Sequence, residues 1–153
     1  MQDMGKFINL KENLLVETEQ ILEKGNLEIH PAVAKISLEG SRGLQGNFRD
    51  DSDLDLSLIL KPEVMAGEAL CEEVLRHSLE SWQADVELDL AVVFDKKKCG
   101  LKCFRVNEYD PGLCPCGVDC LGVYKNQKGF SGFIPDMGLE VKNMYPVLII
   151  WEN

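Results

Sequence analysis

The sequence predicts an α+β domain in which helices flank a small mixed β-sheet. Segments with helical periodicity interleave with segments that alternate like strands, in the order helix, strand, turn, strand, helix, strand over residues 1–95. The chain has 153 residues, of which 45% are hydrophobic and 27% charged. This is the size and composition of one folded domain and not of a disordered chain.

The first two predicted elements are a helix and a strand. Residues 7–24 place apolar side chains at seven-residue spacing, and Gly25 supplies a stop. Residues 32–39 alternate apolar and polar side chains, which is typical of a short strand. This strand runs directly into Gly40, where a turn is expected.

The next strand carries the first acidic pair. Residues 54–60 alternate leucines with polar or β-branched residues, so that Asp53 and Asp55 share the face opposite the leucines. Pro62 ends this strand, and the apolar spacing that follows predicts a second long helix over residues 63–83.

A third alternating strand repeats the acidic face. Over residues 86–94, Glu87 and Asp89 lie on one side and apolar residues on the other. After residue 98 the periodicity fades into a Cys-, Gly- and Pro-rich stretch that extends to about residue 138. Residues 145–151 then predict a closing strand.

Charge and hydropathy narrow the class of partner. The net charge of −10 argues against a general nucleic-acid binder, because phosphate backbones favour basic surfaces. No basic leader followed by an apolar run opens the chain, and the apolar run at residues 147–151 is too short to span a bilayer. We therefore expect a cytoplasmic protein without membrane association.

Acidic residues in this pattern indicate a cation site. Two carboxylates two residues apart on a strand stand side by side and repel each other, unless a cation lies between them. Mg²⁺ prefers oxygen ligands and binds through a few carboxylates together with substrate phosphates. Gly40 and Ser41 follow a strand, where backbone N–H groups and a hydroxyl are suited to holding phosphate oxygens. The competing interpretation is an exposed sheet face on which Asp53 and Asp55 are merely solvated.

The same residues carry a family resemblance. Gly40-Ser41, eleven intervening residues and then Asp53-Leu54-Asp55 on a strand resembles the signature of the polymerase-β-like nucleotidyltransferase superfamily. The Ser-Asp-Leu-Asp-Leu run at residues 52–56 resembles its small bacterial and archaeal members in particular. Leu88-Asp89-Leu90 is similar to the later strand that bears the third acid of that family. The resemblance covers roughly residues 32–95 and therefore implies the nucleotidyltransferase fold.

What the resemblance implies is a transferase. Such an enzyme moves a nucleoside monophosphate from a nucleoside triphosphate, with ATP the first candidate, to a hydroxyl of a small molecule or protein, and releases pyrophosphate. Asp53 and Asp55 would bind Mg²⁺, and Asp89 would complete the metal site and orient or deprotonate the acceptor. Gly40 and Ser41 would hold the triphosphate.

Two points in this implied site stay open. Glu87 shares a face with Asp89, and the strand register decides which of them reaches the metal. Positive charge for the phosphates could come from Arg42, which we assign to nucleotide binding, or from Arg49. Two lysines beyond residue 95, Lys125 and Lys128, are the alternative.

The charge distribution suggests two parts within one domain. Residues 1–95 contain 20 acidic and 8 basic residues, a net charge of −12, whereas residues 96–153 contain 6 acidic and 8 basic residues, a net charge of +2. We expect a nucleotidyltransferase core over 1–95. A Cys-rich extension and the closing strand, over 96–153, would pack with it.

Five of the six cysteines lie in that extension, and Cys71 lies apart on the second long helix, where we expect it in the core. A structural zinc site, free thiols and a disulfide are all compatible with five clustered cysteines. Their spacings depart from the paired C-x2-C pattern of most zinc sites. The best zinc set would be Cys103, Cys114, Cys116 and Cys120.

A second function class uses the same fold. Small members of the family resemble antitoxins that pair with a helical toxin, so the chain could be a protein-interaction module with weak or no catalysis. Its acidic surface would suit a basic protein partner. A homodimer that closes the cleft is a further expectation.

Overall fold

The computed structural model describes residues 16–39, 54–65, 67–95, 121–127, 130–134 and 148–152. These residues form a mixed α+β fold, which confirms the predicted class. The helices are α1 (Val16–Gly25) and α2 (Glu68–Ser81), and the strands are β1 (Val33–Glu39), β2 (Leu54–Leu60), β3 (Leu88–Asp95), β4 (Leu121–Gln127), β5 (Phe130–Ile134) and β6 (Leu148–Glu152).

The six strands form a single mixed sheet in the order β5-β4-β3-β2-β1-β6. Only β2 and β3 pair in parallel, and the other neighbours are antiparallel. A parallel pair needs a long crossover, which here contains α2. Strands from both predicted parts of the chain share this sheet, because β4 pairs with β3 and β6 pairs with β1.

One face of the sheet forms the hydrophobic core with the two helices. Leu22 of α1 and Val74 and Leu75 of α2 belong to the same buried cluster as the strands. Full burial of a leucine side chain contributes about 1.5–3 kcal/mol to stability. This buried cluster therefore accounts for much of the driving force for folding. The members from β2 and β3 are Leu54, Leu56, Leu58, Leu60, Leu88, Leu90, Val92 and Phe94.

The opposite side of the sheet mixes polar and apolar residues and is not open to solvent at its centre, where the register partners Ile59 and Val93 are buried. Ser37 and Ser57, which are register partners, are buried, and so is the neighbouring Lys35. The centre of this side of the sheet is therefore shielded from solvent at Lys35, Ser37 and Ser57. We call this side the polar face, and its described residues include Lys35, Ser37, Asp55, Ser57, Asp89 and Lys125.

The ends of the helices follow from local backbone chemistry. Helix α1 ends at Gly25, as the sequence predicts, and Asn26 then adopts a left-handed conformation with φ 49°, a common helix terminator. The indole of Trp82 lies on Gly25, where a Cβ atom would overlap the ring. The close approach of α1 and the end of α2 therefore requires glycine at this position.

The second long helix begins later than predicted. Helix α2 starts at Glu68 and not at residue 63, because the backbone at the N-cap Gly67 is extended and turns occupy the residues after Pro62. The segment before β3 is likewise bent, so that β3 begins at Leu88. The predicted first helix lies partly outside the described residues, since α1 is described from Val16.

The prediction of a stretch without regular structure up to residue 138 is wrong in its last part. Strands β4 and β5 form an antiparallel hairpin there, with Tyr124 opposite Phe133. The two glycines within these strands, Gly122 and Gly132, weaken the alternation that would otherwise reveal them. The predicted closing strand is confirmed as β6.

Cys71 lies in the core, as the sequence predicts, and two tryptophans contribute to the same core. Trp151 and Cys71 are buried, and Trp82 packs partly buried against the core and donates a hydrogen bond from Nε1 to the carbonyl oxygen of Val86 (2.8 Å). In the described ranges no helix has the length and apolar character needed to cross a membrane.

Candidate functional site

Two carboxylates meet where β2 and β3 begin. The N–H of Leu54 donates to the carbonyl oxygen of Glu87 (2.9 Å), which sets the parallel register, and Asp55 is consequently paired with Asp89. Residues paired in a parallel sheet point to the same face, and adjacent strands lie about 4.8 Å apart. Asp55 and Asp89 therefore stand side by side on the polar face.

A lysine from the neighbouring strand approaches this pair. The Nζ atom of Lys125 on β4 lies 2.7 Å from Oδ1 of Asp89, and the two side chains are 29% and 15% exposed. Lys125 is one of the residues predicted from the sequence to supply positive charge for the phosphates. In the structure its ammonium lies beside one carboxylate of the acidic pair. Its charge offsets part of the repulsion between the two carboxylates.

The contact between Lys125 and Asp89 is an ion pair without hydrogen-bond geometry. Oδ1 of Asp89 is inaccessible to solvent and accepts no hydrogen bond within the part of the chain that the structure describes. The 2.7 Å distance to Nζ therefore reflects charge attraction between the ammonium and the carboxylate. A buried carboxylate oxygen in this state can accept a further donor or a cation.

The sheet surface beside the carboxylates is lined by small residues. Ser57 is the register partner of both Ser37 on β1 and Ala91 on β3. Ser37 and Ser57 are both buried, so short side chains fill this covered part of the polar face.

The two candidates for the third acid differ in their register with β2. Asp89 lies in β3, in register with Asp55, whereas Glu87 precedes the strand and is exposed. A further acid, Glu39, is the register partner of Asp55 on β1. The sequence alone does not predict this register, because it depends on the antiparallel pairing of β1 with β2.

Other residues predicted for the site lie outside the described residues. These are the proposed phosphate-binding residues, the first metal-binding aspartate, two alternative cations and the zinc candidates, namely Gly40, Ser41, Arg42, Asp53, Arg49, Lys128, Cys103, Cys114, Cys116 and Cys120.

The described pair fits part of a magnesium site. Mg²⁺ is commonly held by one or two carboxylates, with water and substrate phosphates completing its shell. Asp55 and Asp89 supply two carboxylates, and the buried Oδ1 of Asp89 lacks a hydrogen bond. Within the described ranges no three ligand-type side chains converge, so these two residues would form an open site that depends on further ligands.

Tyr124 shows how the two sides of β4 differ. Its ring points to the core face, opposite to Lys125, and is buried beneath α2. Burial raises the pKa of the Tyr124 phenol, and the nearby carboxylates of Glu72 and Glu68 raise it further. Tyr124 therefore stays neutral at physiological pH and belongs to the core.

The two histidines lie in a separate cluster near the start of β1. Nδ1 of His30 accepts the N–H of Ala32 (3.0 Å), and its Nε2 lies 2.7 Å from Oε2 of Glu73. The ring meets His77 edge-on, with centroids 5.7 Å apart. These contacts tie the start of β1 to α2, which is a structural role.

No family model matches the chain, and neither a curated protein nor a solved structure is significantly similar to it. The assignment of a function therefore depends on the residues of the site itself.

Proposed function

We propose that this chain is a Mg²⁺-dependent nucleotidyltransferase. It would transfer a nucleoside monophosphate from a nucleoside triphosphate to a hydroxyl of a small molecule or protein and release pyrophosphate. The observation that carries the proposal is the register pairing of Asp55 with Asp89 on adjacent parallel strands. The Gly40-Ser41 and Asp53-Leu54-Asp55 motif resembles that of the polymerase-β-like superfamily. This resemblance is the reason for assigning a metal-binding role to the acidic pair.

Each residue of the proposed site has a defined part. Asp53, Asp55 and Asp89 would hold Mg²⁺, which when bound neutralises phosphate charge and aligns the triphosphate. Gly40 and Ser41 would cradle the phosphates with backbone N–H groups and a hydroxyl.

The chemical step needs a positioned acceptor. Asp89 would orient the acceptor hydroxyl and accept its proton as the acceptor oxygen bonds to the α-phosphorus and the bond to pyrophosphate breaks. The buried position of Asp89 supports this role, because positioning and charge stabilisation supply most of the acceleration in phosphoryl transfer.

A thermal-shift series tests the proposal. Wild type, Asp55→Asn and Asp89→Asn would each be heated with every nucleoside triphosphate, once with Mg²⁺ and once with EDTA. A ligand at 100 times its Kd stabilises the native state by about 2.7 kcal/mol, which gives a clear rise in the midpoint. We expect a Mg²⁺-dependent rise with at least one nucleotide in wild type and none in the two variants.

Glu87→Gln is the matched control for this series. It removes one acidic charge two residues before Asp89, from an exposed position outside the strand. We expect it to keep the nucleotide shift. Retention of the shift in both aspartate variants would contradict the proposed site, and its loss in Glu87→Gln alone would make Glu87 the third acid.

The reaction itself requires a second measurement. The nucleotide that gives the shift would be supplied with an α-phosphate label, together with candidate hydroxyl acceptors and cell extract. Labelled product together with released pyrophosphate is the expected result. If no nucleotide shifts the midpoint, the transferase proposal is wrong, and co-purification would then test the interaction-module alternative.

A further inference from the structure

We propose that Lys125 is a built-in counter-ion of the carboxylate pair, which a divalent cation must displace in order to bind. The inference rests on the proposed function, since it describes how the same site is held when it contains no metal. It adds a positioning residue from β4, a strand outside the predicted core over residues 1–95.

The first step concerns charge. Asp55 and Asp89 are in register, and like charges directly opposite on adjacent strands destabilise a sheet. Lys125 Nζ lies 2.7 Å from Oδ1 of Asp89, in surroundings that leave the aspartate side chain only 15% exposed. Limited contact with water strengthens the attraction, so the ammonium offsets the repulsion in the metal-free protein.

The second step concerns competition for one atom. Oδ1 of Asp89 is closed to solvent and accepts no hydrogen bond from the described residues. The ammonium of Lys125 therefore provides the positive charge found at this oxygen. A divalent cation at the same oxygen would compete with the ammonium for this position, so binding of the metal would weaken the ion pair.

The third step concerns mobility. The contact lacks hydrogen-bond geometry, and the Lys125 side chain remains 29% exposed on a flexible four-carbon stem. Its backbone is held in the sheet, because Lys125 pairs with Gly132 on β5 and the preceding residue, Tyr124, pairs with Val92 on β3. The ammonium can consequently leave Asp89 without any change in the sheet.

A metal titration without nucleotide tests the exchange. Isothermal titration with Mn²⁺ alone would compare wild type with Lys125→Met and Lys125→Arg. An ion pair of about 0.2–1 kcal/mol corresponds to roughly a 1.4- to 5-fold change in binding. We expect Lys125→Met to bind Mn²⁺ more tightly by that factor, and Lys125→Arg to remain near wild type because arginine keeps the charge.

Lys24→Met is the matched control, because it removes one positive charge from an exposed position on α1. We expect its Mn²⁺ affinity to equal that of wild type. If Lys125→Met leaves the affinity unchanged or weakens it, Lys125 does not compete with the metal and the proposal is overturned.

A second measurement uses wild type only and remains informative if Lys125→Met fails to fold. Lysine acylation, quantified by mass spectrometry of the peptide that contains Lys125, would be compared in EDTA and in Mg²⁺ at constant pH. Displacement of the ammonium predicts faster acylation of Lys125 in Mg²⁺, with Lys24 unchanged. Equal rates in both conditions would overturn the proposal.

The outcomes separate this inference from the proposed function. If Mn²⁺ binds with the expected dependence on Lys125 but no nucleotide shifts the midpoint, only the transferase assignment fails. If a nucleotide binds in a Mg²⁺-dependent way but Lys125 has no effect, only the counter-ion fails. If wild type binds no Mn²⁺ even with nucleotide present, both are wrong.

Discussion

Asp55 and Asp89 are register partners on the only parallel strand pair of the described sheet. They belong to strands that α2 separates along the chain, so the crossover brings them together. Two carboxylates in such a position repel each other, and the ion pair between Asp89 and Lys125 offsets that repulsion in part.

The first prediction concerns this repulsion. Asp55→Asn should raise the free energy of unfolding in EDTA by about 0.2–1 kcal/mol, because it removes one of two like charges that stand opposite each other. Urea denaturation measures the change. Glu80→Gln, at an exposed position on α2, is the control and should change the value by less than about 0.5 kcal/mol. A loss of stability in Asp55→Asn would show that attractive contacts dominate at this position.

The second prediction concerns the contact between β3 and β4. Gly122 is the register partner of Phe94, and a Cβ atom at position 122 would overlap the Phe94 ring. That ring cannot move freely, since it stacks on Phe133 with centroids 5.1 Å apart. Gly122→Ala should therefore destabilise the protein by about 1–3 kcal/mol.

Gly132→Ala supplies the comparison for Gly122→Ala. Gly132 lies on the adjacent strand β5, and a Cβ atom there meets nothing within 4 Å. We expect thermal denaturation to show little change for this variant. Equal effects of the two substitutions would mean that backbone entropy and not the aromatic contact dominates.

The third prediction concerns a buried hydroxyl that joins α2 to the connection before β1. Ser78 is fully buried, and its Oγ donates to the carbonyl oxygen of Glu28 (2.9 Å). Ser78→Ala should cost about 1–3 kcal/mol, because that carbonyl oxygen would lose its partner. Ser81, whose Oγ accepts the N–H of Glu28 (2.8 Å), is less buried, and water can replace it. Ser81→Ala should cost less in the same urea titration, and the reverse order would contradict this assignment.

The fourth prediction concerns pH. Burial raises the pKa of the Cys71 thiol from 9.0 to about 11, and the carboxylate of Glu68 adds to the shift. In the unfolded chain the thiol ionises near its ordinary value, so the contribution of Cys71 to stability is complete below pH 9. It is lost as the pH rises towards 11.

Urea denaturation between pH 8 and 10.5, under reducing conditions, measures this effect in wild type and Cys71→Ala. Between the two pKa values, wild type should lose up to about 1.4 kcal/mol per pH unit more than the variant. The comparison cancels the contributions of the other titrating groups. Parallel curves for the two proteins would show that Cys71 ionises equally in the folded and unfolded states.

Much of the fold follows from local patterns in the sequence. The leucine alternation in residues 54–60 coincides with β2, and the alternation in residues 32–39 differs from β1 by a single residue. These elements were predictable because each alternation reports the burial of one face along a single strand. The hairpin of β4 and β5 was not, because Gly122 and Gly132 interrupt the pattern and the pairing between the strands stabilises them instead.

In the candidate site, too, some features follow from local sequence patterns and others depend on strand pairing. The residue types at Asp55 and Asp89 and their faces could be derived from the sequence alone. That Asp89 and not Glu87 stands beside Asp55 depends on the hydrogen bond from Leu54 to the Glu87 carbonyl, which sets the register. On the other side of β2, the antiparallel register with β1 pairs Glu39 with Asp55.

The sequence by itself determined the α+β class and the positions of Asp55 and Asp89 within two alternating strands. The reason is that these properties depend on residues close together along the chain. Only the tertiary structure decided that Lys125 reaches Asp89 and that the polar face is buried at Ser37 and Ser57. Those features depend on strand order and register, which arise from contacts between segments far apart in sequence.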